Sequence, residues 1–357
     1  MQLRILVSSL WTLSFALTCS AFLRTVPDKS PYDYTFAQYG GVPDAADAIK
    51  YNYTKGIKSY WWANFLHGDD GHDYCVVITS ANAGAAETVS SMSIINVNTG
   101  FNFATAINEA GQLSNSKFSG ISSVLTAGST AADGFSENYA ISSLPEFPFN
   151  LSYIPRGPNL YQGGLGAFMW GTDFAYALDA PETYVTGWFE ANGTKVNVVP
   201  EQSMAWFDFQ WGPGYAISGW HDYVILLENG VKLQVTVTTE TDLYKQGSFA
   251  NMLYPDGHME IWPVDNNTAP TNPWVSSLSN ITYYSNYIVS IPLKNTVLFV
   301  DLPVKGGETG PSANATAANT IADTFAWYSG TFEGLPVRGW GIMELRGDAQ
   351  CASYGGC

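Results

Sequence analysis

The sequence predicts an all-β protein built from two antiparallel β-barrel or β-sandwich domains. Short apolar or alternating runs fill most of the 357 residues and are separated by Gly, Pro and Asn residues, which favour turns. Two Asn-Gly pairs, Asn192-Gly193 and Asn229-Gly230, each stand between two such runs, and this is a strong short-range signal for a β-hairpin. A chain of this length usually forms more than one domain.

The expected elements follow these signals along the chain. Strands are expected at residues 60–66, 73–79, 183–189, 195–199, 222–227, 231–238, 287–292, 296–300 and 339–345. Helix is expected only at 44–49 and at 315–327, where an Ala-rich run follows Asn314, a residue that can cap a helix. Many short strands with little helix are typical of an antiparallel sandwich or barrel in each half of the chain.

The start of the chain predicts a signal peptide at residues 1–21. Arg4 precedes an apolar run, and small residues follow the run at 19–21, where a peptidase would cut. The run is too short to span a bilayer, so we expect export without a membrane anchor or membrane span. The remaining chain divides into an N-terminal extension, two domains and a Cys-containing tail, at 22–54, 55–214, 215–347 and 348–357.

Modification signals agree with an exported protein. Six sequons predict N-linked glycans, at Asn52, Asn150, Asn192, Asn266, Asn280 and Asn314. Cys351 and Cys357 bracket a short Gly-containing tail and could close a small disulfide loop. Cys75 lies in an apolar run, where we expect a buried, inert thiol.

Composition restricts the kind of partner. The formal net charge is −16 with only 15 Lys and Arg residues, which argues against nucleic acid and anionic membranes as partners. Aromatic residues make up 15% of the chain and include 12 Trp and 21 Tyr. Such enrichment suits a pocket for an apolar or aromatic small molecule, although packing between sheets could also account for it. We expect a monomer that binds such a molecule.

Residues 203–212, Ser-Met-Ala-Trp-Phe-Asp-Phe-Gln-Trp-Gly, contain the main candidate for chemistry. Asp208 stands among Trp206, Phe207, Phe209 and Trp211. Aromatic surroundings raise the pKa of a carboxyl group, and the ring faces can stabilise a carbocation after a proton has been delivered. The alternative is a buried Asp that is hydrogen-bonded to backbone amides beside a turn.

Two further segments place aromatic residues beside acids. One is Trp220-His221-Asp222-Tyr223, and the other ends at Glu344, which shares a strand face with Trp340 because side chains alternate along a strand. Glu344 is therefore a candidate second acid or base, the alternative being a surface Glu on a closing strand. The same alternation means that only one of the neighbours Trp61 and Trp62 can line any one cavity.

Several common catalytic motifs are absent from the sequence. No Gly-x-Ser-x-Gly elbow, phosphate-binding Gly-rich loop or His-Glu-x-x-His helix occurs. A group of His and Asp residues is the one candidate for metal binding, but it falls on a turn between two strands, where such residues are usually solvated. That group is His67, Asp69, Asp70, His72 and Asp73. We expect neither a metal nor a cofactor.

Five segments, in this order, resemble a known family. They are the Tyr-Trp-Trp run at 60–62, the stretches 164–171 and 187–199, the Trp-Phe-Asp-Phe-Gln-Trp-Gly signature at 206–212, and the C-terminal stretch 328–344. They resemble the lipocalin-like family that includes kievitone hydratase, hydroxyneurosporene synthase (a carotenoid hydratase), bacterial AttH proteins and, more distantly, fungal Diels–Alderases. The signature is moderately specific, whereas the Trp pair and the closing strand are weak signals by themselves.

The resemblance implies two lipocalin-like β domains, the first ending near the signature and the second beginning near Trp220. It also implies a cofactor-independent enzyme of secondary metabolism, and among the members the hydratases look most similar to this chain. One departure is that Phe209 follows the signature Asp, where relatives usually have Arg or His. The loss of a cationic neighbour favours a neutral Asp208 but removes a group that could orient substrate or water.

These considerations predict acid-catalysed hydration or dehydration of an alkene in a prenylated or polyketide compound. Asp208 would donate the proton, and Glu344 or Tyr223 would position water. Indole rings would bind the substrate and shield the cation, with candidates Trp61, Trp62, Trp206, Trp211, Trp220 and Trp340. Two alternatives are a pericyclase of the Diels–Alderase type, which needs shape but no acid, and a non-catalytic carrier of apolar ligands.

Overall fold

The structure is a computed structural model that describes most of the chain. The described residues are 57–83, 87–110, 119–131, 136–171, 173–214, 216, 219–238, 247–265, 270–310 and 320–346. Several expectations lie outside them: the signal peptide at 1–21, the extension at 22–54, the helix at 44–49, the tail at 348–357, the sequons Asn52, Asn266 and Asn314, and the cysteines Cys351 and Cys357.

Within the described residues, the chain forms β-strands and two short 3₁₀ turns, Pro200–Gln202 and Pro292–Lys294, and it forms no α-helix. The strands make two curled antiparallel sheets, so the predicted all-β, lipocalin-like class is confirmed. None of these described segments is a helix long and apolar enough to cross a membrane.

The first sheet has thirteen strands in the described residues. They are β1 (Ile57–His67), β2 (Asp73–Ala83), β3 (Glu87–Asn96), β4 (Asn102–Ala110), β5 (Ser119–Ile121), β6 (Leu125–Ser129), β7 (Asn138–Ser142), β8 (Phe149–Arg156), β9 (Leu160–Tyr161), β10 (Ala167–Trp170), β11 (Asp173–Ala191), β12 (Thr194–Asn197) and β13 (Met204–Gly212). Their order is β4-β3-β2-β1-β13-β11-β8-β7-β6-β5, with β9, β10 and β12 also paired to β11.

The second sheet has ten strands in the described residues. They are β14 (Trp220–Leu227), β15 (Lys232–Thr238), β16 (Ser248–Leu253), β17 (Met259–Pro263), β18 (Thr271–Val275), β19 (Thr282–Ile291), β20 (Thr296–Asp301), β21 (Glu308–Thr309), β22 (Ile321–Phe332) and β23 (Leu335–Arg346). Their order is β17-β16-β15-β14-β23-β22-β20-β19-β18, with β21 paired to β22. The change of sheet falls between β13 and β14, and the finer division into domains at 214/215 stays a prediction.

Both Asn-Gly pairs make hairpin turns. Asn192 and Gly193 connect β11 to β12 with φ values of 50° and 73°, the positive φ at both positions that a tight two-residue hairpin turn requires. Gly230 has a φ of 86° and donates its N–H to the Leu227 carbonyl at 2.9 Å, which closes the turn between β14 and β15. These short-range signals therefore predicted their hairpins correctly.

The helix expected at 315–327 was wrong in its described part. Residues 321–332 form strand β22, which pairs with β23 along its whole length. Ala-rich composition favours a helix only weakly, and a full cross-strand ladder outweighs it. Side chains alternate between the two faces of β22. Ala322 and Ala326 pack in the core of the second sheet, whereas Phe325 packs in a different cluster on the opposite face.

Among the described residues, buried side chains form one core inside each sheet and two clusters that draw on both sheets, the larger of which is the interface core. Trp62 and Phe207 belong to the core inside the first sheet, and Tyr223 belongs to the core inside the second. The interface core draws on both sheets and includes Trp206 from β13 and Trp340 from β23. Each central strand is therefore buried on both faces, and the two sheets are held against each other by apolar burial.

Candidate active site

A cavity of about 350 Å³ lies between the two sheets. Trp61 and Trp206 of the first sheet and Val224 and Ile342 of the second line it, and all four also belong to the interface core. One part of the cavity is therefore apolar and closed by packed side chains. The volume is in the range of sites for small organic molecules.

The first sheet contributes two carboxyl groups to the cavity. Side chains alternate along β13, so Trp206, Asp208 and Gln210 face the cavity. The strand register places Asp208 between Trp61 on β1 and Asp179 on β11. Directly opposed residues on neighbouring strands have side chains about 5 Å apart, so these three side chains form one row across the wall.

The second sheet contributes three more carboxyl groups by the same geometry. Glu344 on β23 is paired with Asp222 on β14 and with Asp323 on β22. All three side chains line the cavity. Two rows of acids therefore belong to the walls of a single cavity, one row from each sheet.

The five acids differ in how much of each residue is exposed. Asp179 is 0% exposed and Asp323 is 2% exposed, whereas Asp208, Asp222 and Glu344 keep intermediate exposure. Because the last three line the cavity and are not fully covered, a bound molecule could reach these side chains more directly than those of Asp179 and Asp323. Each sheet thus has at least one accessible carboxyl group with a covered one beside it.

Hydrogen bonds hold three of the acids in place. The Trp220 indole N–H donates to Oε1 of Glu344 at 2.5 Å. Oδ1 of Asp222 accepts from the Gln234 amide at 2.6 Å and from the Thr236 hydroxyl at 2.9 Å. The Gln162 side-chain amide donates a hydrogen bond to Oδ1 of Asp179 at 3.2 Å.

Burial raises the pKa of every carboxyl group in the two rows. The pKa of Asp208 lies well above its usual range, because of burial first and then the charge of Asp179 beside it. Burial raises the pKa of Asp179 to about 7, and it also raises the pKa values of Asp222, Asp323 and Glu344. Neutral carboxylic acids, which can donate protons, are therefore available in the cavity near neutral pH.

Another part of the cavity wall is polar. It is lined by hydroxyl and amide side chains from β1 to β4 and β13, namely Ser59, Thr79, Asn82, Ser91, Asn108 and Gln210. Arg346 is the one basic side chain among the described residues that line the cavity. Its guanidinium lies 5.3 Å from the centre of the Trp220 ring and donates to the Ala216 carbonyl at 3.1 Å. The cavity therefore suits a molecule with one apolar and one polar part.

Five of the predicted site residues line this cavity. They are Asp208, Glu344, Trp61, Trp206 and Trp220. The structure thus brings together the proposed acid, the proposed second acid or base and three of the proposed indole rings.

Four other predicted site residues do not line the cavity. Trp62 and Trp211 point into the core of the first sheet, and Tyr223 points into the core of the second. Each of these three residues directly follows a cavity residue in the sequence, and successive side chains of a strand point to opposite faces, so they point away from the cavity. Trp340 does share the inner face with Ile342, but it packs deeper, with its ring 5.8 Å from that of Phe65.

The predicted aromatic enclosure of Asp208 needs the same correction. Phe207, Phe209 and Trp211 belong to the core on the other side of β13 and cannot surround its carboxyl group. The indole neighbours come instead from Trp61, opposite Asp208, and Trp206, two residues earlier on the same face. Oδ1 of Asp208 is buried and accepts no hydrogen bond, so it is not held by backbone amides as the alternative interpretation required.

Sequence reasoning missed Asp179, Asp323 and Gln162 and gave Asp222 no role. Asp179 is the single acid in the apolar run 175–180 of β11, which was a usable signal. Asp323 lay within the segment expected to be helical. Its membership of the site depends on the pairing of β22 with β23, which no local pattern specified.

The His and Asp residues of the first hairpin bond to one another and to nearby chain segments. His67 Nδ1 lies 2.6 Å from Oδ1 of Asp73, and Asp69 accepts from the Asn197 side chain at 2.7 Å. The Tyr74 hydroxyl donates to Asp70 at 2.7 Å. No metal-binding group of His, Cys, Asp or Glu occurs in the described part of the chain.

Cys75 is buried, and burial raises the pKa of its thiol, as expected for an inert residue.

Curated proteins give two relatives in sequence. The chain is 25% identical over 239 residues to the dehydratase asqC of Emericella nidulans, covering 62% of this chain and 67% of the relative. It is 22% identical over 348 residues to kievitone hydratase of Fusarium solani subsp. phaseoli, covering 91% and 94%. No protein-family model matches the chain.

Solved structures share the fold. Kievitone hydratase from Nectria haematococca superposes with a TM-score of 0.80 at 17% identity, covering 92% of this chain and 99% of that one. An AttH-like protein of Nitrosomonas europaea gives 0.72 at 17% identity, covering 87% and 98%. CghA gives 0.56 at 12% identity, covering 91% and 94%. The resemblance inferred from the sequence is confirmed, and the relatives support an enzyme of the lyase type.

The raised carboxyl pKa values predict how stability depends on pH. A carboxyl group with a folded pKa above its unfolded value contributes stability that is complete below the unfolded pKa and is lost as pH rises through the folded pKa. For Asp179 that loss extends to about pH 7. We expect the free energy of unfolding to fall as the pH rises from about 4 to about 7, and to fall less over this range in Asp179→Asn, by at least about 1.4 kcal/mol.

Urea unfolding at several pH values measures this difference. Asp265→Asn is a suitable control, because Asp265 does not line the cavity. An Asp179→Asn protein whose stability falls with pH as steeply as that of the wild type would contradict the prediction.

Proposed function

We propose that this protein is a hydro-lyase of secondary metabolism that hydrates an alkene, or dehydrates the corresponding alcohol, in a small molecule. The observation that carries the proposal is the position of the Asp208 carboxyl group, opposite Trp61 on the neighbouring strand and in one cavity with Glu344. Burial raises the pKa of this carboxyl group, which favours its protonated form. The relatives named as a hydratase and a dehydratase support the same reaction class.

In the hydration direction, Asp208 donates its proton to one alkene carbon, and the π electrons form the new C–H bond. The other carbon becomes a carbocation. Trp61 and Trp206 face the same space as Asp208, and their ring faces stabilise a cation while excluding bulk water. General acid catalysis supplies roughly 10² to 10⁴ in rate, so cation stabilisation in the closed part of the cavity accounts for much of the remainder.

Water completes the reaction from the second sheet. Its oxygen forms the C–O bond with the cation, and Glu344 accepts the proton that is released. Burial raises the pKa of Glu344, and the Trp220 N–H, which donates to one of its oxygens, opposes that rise by stabilising the carboxylate that a base requires. Tyr223, which the sequence suggested as a group that positions water, faces away from the cavity. Its neighbour Asp222 lines the cavity and takes that role instead. Proton exchange with solvent then returns a proton to Asp208 and removes one from Glu344, which restores both groups. The reverse sequence dehydrates the alcohol.

The cavity also supports a class of substrate. Trp61, Trp206 and Ile342 suit an apolar alkene, such as a prenyl or polyketide chain, and the amide and hydroxyl groups of β1 to β4 suit an oxygenated ring system. Both walls come from one chain, which supports a monomeric enzyme. The steps above use only side chains of this protein and water, so we propose that the reaction proceeds without a cofactor.

A pericyclase is the second candidate function. It is supported by the family resemblance, which extends more distantly to fungal Diels–Alderases, and by the closed apolar part of the cavity, which could fold a polyene. Such a reaction depends on shape and hydrogen bonds and does not need a transferable proton. Replacement of the acid therefore separates the two functions.

Asp208→Asn should lower turnover by about two or more orders of magnitude while substrate still binds, because the amide keeps the size of the side chain but has no acidic proton. Candidate substrates are kievitone and other prenylated phenols, and product is detected as a mass change of one water molecule. Binding is measured by quenching of tryptophan fluorescence.

Tyr223→Phe is the matched control, since it removes a single oxygen from a residue outside the cavity, and we expect turnover within a few-fold of the wild type. A fully active Asp208→Asn protein that gains or loses water would exclude Asp208 as the acid. Rearrangement of a polyene without a mass change in that variant would favour the pericyclase, and recovery of every ligand unchanged would favour a carrier.

Neighbouring Trp residues provide a second test. Trp61→Leu should weaken both binding and turnover, because it removes a ring face from the cavity, whereas Trp62→Leu should mainly lower thermal stability, because Trp62 is buried inside the first sheet. Dissociation constants and melting temperatures of the two variants measure the contrast. Equal effects on ligand binding would show that the cavity face of β1 is assigned incorrectly.

We further propose that the protein is exported and glycosylated. The leader-like residues 1–21 support this, and the three described sequons Asn150, Asn192 and Asn280 are exposed. After expression in a eukaryotic host, we expect the protein in the medium without residues 1–21 and with a lower mass after endoglycosidase treatment. Retention inside the cell with Met1 present and no change in mass would refute it.

A further inference from the structure

We propose that Asp179 and Asp208 act as a dyad in which Gln162 holds Asp179 as the carboxylate, so that the single proton of the pair stays on Asp208. Asp179 and Gln162 are then positioning residues for the acid. The inference rests on the proposed function for its catalytic meaning, but the location of the proton can be measured without any substrate.

The first part of the argument is the arrangement of the two carboxyl groups. They lie directly opposite each other on the neighbouring strands β11 and β13 and point into the same cavity. Two carboxyl groups at such a separation do not both ionise near neutral pH, so the pair retains one proton over a range of pH. The local partners of each group decide which of them carries it.

The partners of Asp179 favour its ionised form. Gln162 Nε2 lies 3.2 Å from Oδ1 and 3.4 Å from Oδ2 of Asp179, so the amide N–H donors face both oxygens. A carboxylate accepts at both oxygens, whereas a protonated acid uses one of them as a donor. Asp179 is also fully covered, with an exposure of 0%, so a proton on it could not be passed directly to a ligand.

The position of Gln162 is fixed from both sheets. It follows β9, which pairs with β11 at Asp179 itself through Leu160. The next residue, Gly163, donates its N–H to Oδ1 of Asn251 on β16 at 2.9 Å. Gly163 has a φ of 68°, and a Cβ there would come within 2.5 Å of the Ala167 carbonyl oxygen, so the turn requires glycine. The amide donor is therefore held firmly against Asp179.

The surroundings of Asp208, in contrast to those of Asp179, favour its protonated form. Its Oδ1 accepts no hydrogen bond, and its side chain is partly open to the cavity. The directions of the pKa shifts agree: burial raises the pKa of both groups, while the bond between them lowers the pKa of Asp179 and raises that of Asp208. The accessible group thus keeps the proton after the covered group has lost its own.

Other charged groups that line the cavity with Asp208 belong to the second sheet. They are Asp222 on β14, Asp323 on β22, and Glu344 and Arg346 on β23. On the β1 side, the residue opposite Asp208 is the uncharged Trp61. The charge of Glu344 also raises the pKa of Asp208, but less than burial and Asp179 do. A control in the second sheet must therefore accompany any change in the dyad.

Infrared titration of the full-length protein tests the proposal. Protonated carboxyl groups absorb at a C=O stretching frequency distinct from that of carboxylates, and subtraction of matched spectra that also carry Asp208→Asn isolates the Asp208 signal. In the wild type we expect Asp208 to stay protonated after Asp179 has ionised. In Asp179→Asn its midpoint should fall by about one pH unit or more, because the negative neighbour has been removed.

Gln162→Leu and Asp323→Asn complete the set. Without the amide donor, the proton is shared with Asp179, so the Asp208 signal at about pH 8 should be weaker than in the wild type. Asp323→Asn removes the corresponding covered acid of the second sheet and should leave the Asp208 midpoint near its wild-type value. If Asp179→Asn does not fold, Gln162→Leu decides the question.

An Asp208 midpoint that is unchanged in Asp179→Asn, or an Asp208 signal that is unchanged in Gln162→Leu, would overturn the dyad. Where turnover is measurable, the alkaline limb of kcat/KM should shift to lower pH in Asp179→Asn, because Asp208 must be protonated to act. The proposed function fails separately, through full activity of Asp208→Asn, and that result would leave the infrared result intact.

Discussion

Burial of acidic side chains between two apolar sheets is the constraint on which the site depends. The sheets bury large aromatic residues against each other, and Trp206 of β13 and Trp340 of β23 are both part of that contact. Packing of this kind excludes water from one part of the interface, and carboxyl groups that face it resist ionisation. The same apolar contact that joins the two halves of the chain therefore produces the proton donors.

A single strand serves both the core and the site. On β13, Phe207 fills the interior of the first sheet while Asp208, the next residue, faces the cavity. Strand alternation makes this division unavoidable, and the register with β1 and β11 then selects the neighbours of the acid. A slip of one residue would place Asp208 in the core and Phe207 in the cavity, so stable packing of the core also preserves the chemistry.

The related structures keep the same fold at low sequence identity. Kievitone hydratase from Nectria haematococca keeps the whole architecture at 17% identity, so two curled sheets with a shared interface tolerate extensive substitution. The chemistry is set by the few side chains that face the cavity from each strand. In this chain those positions hold acids from both sheets and an amphipathic lining, as the proposed hydro-lyase function requires.

The sequence by itself determined the all-β class, the two Asn-Gly hairpins and the family resemblance, and it named Asp208 and Glu344, two candidate acids that both line the cavity. These are local properties, since alternation, turn chemistry and a compact signature can be read within about ten residues. Tertiary structure decided the rest. Asp179 and Asp323 join the site only because β11 pairs with β13 and β22 with β23, and such pairings join residues far apart in the chain. The alternation that excludes Trp211 from the cavity is local, but which face of β13 meets the second sheet is settled only when the two sheets pack together.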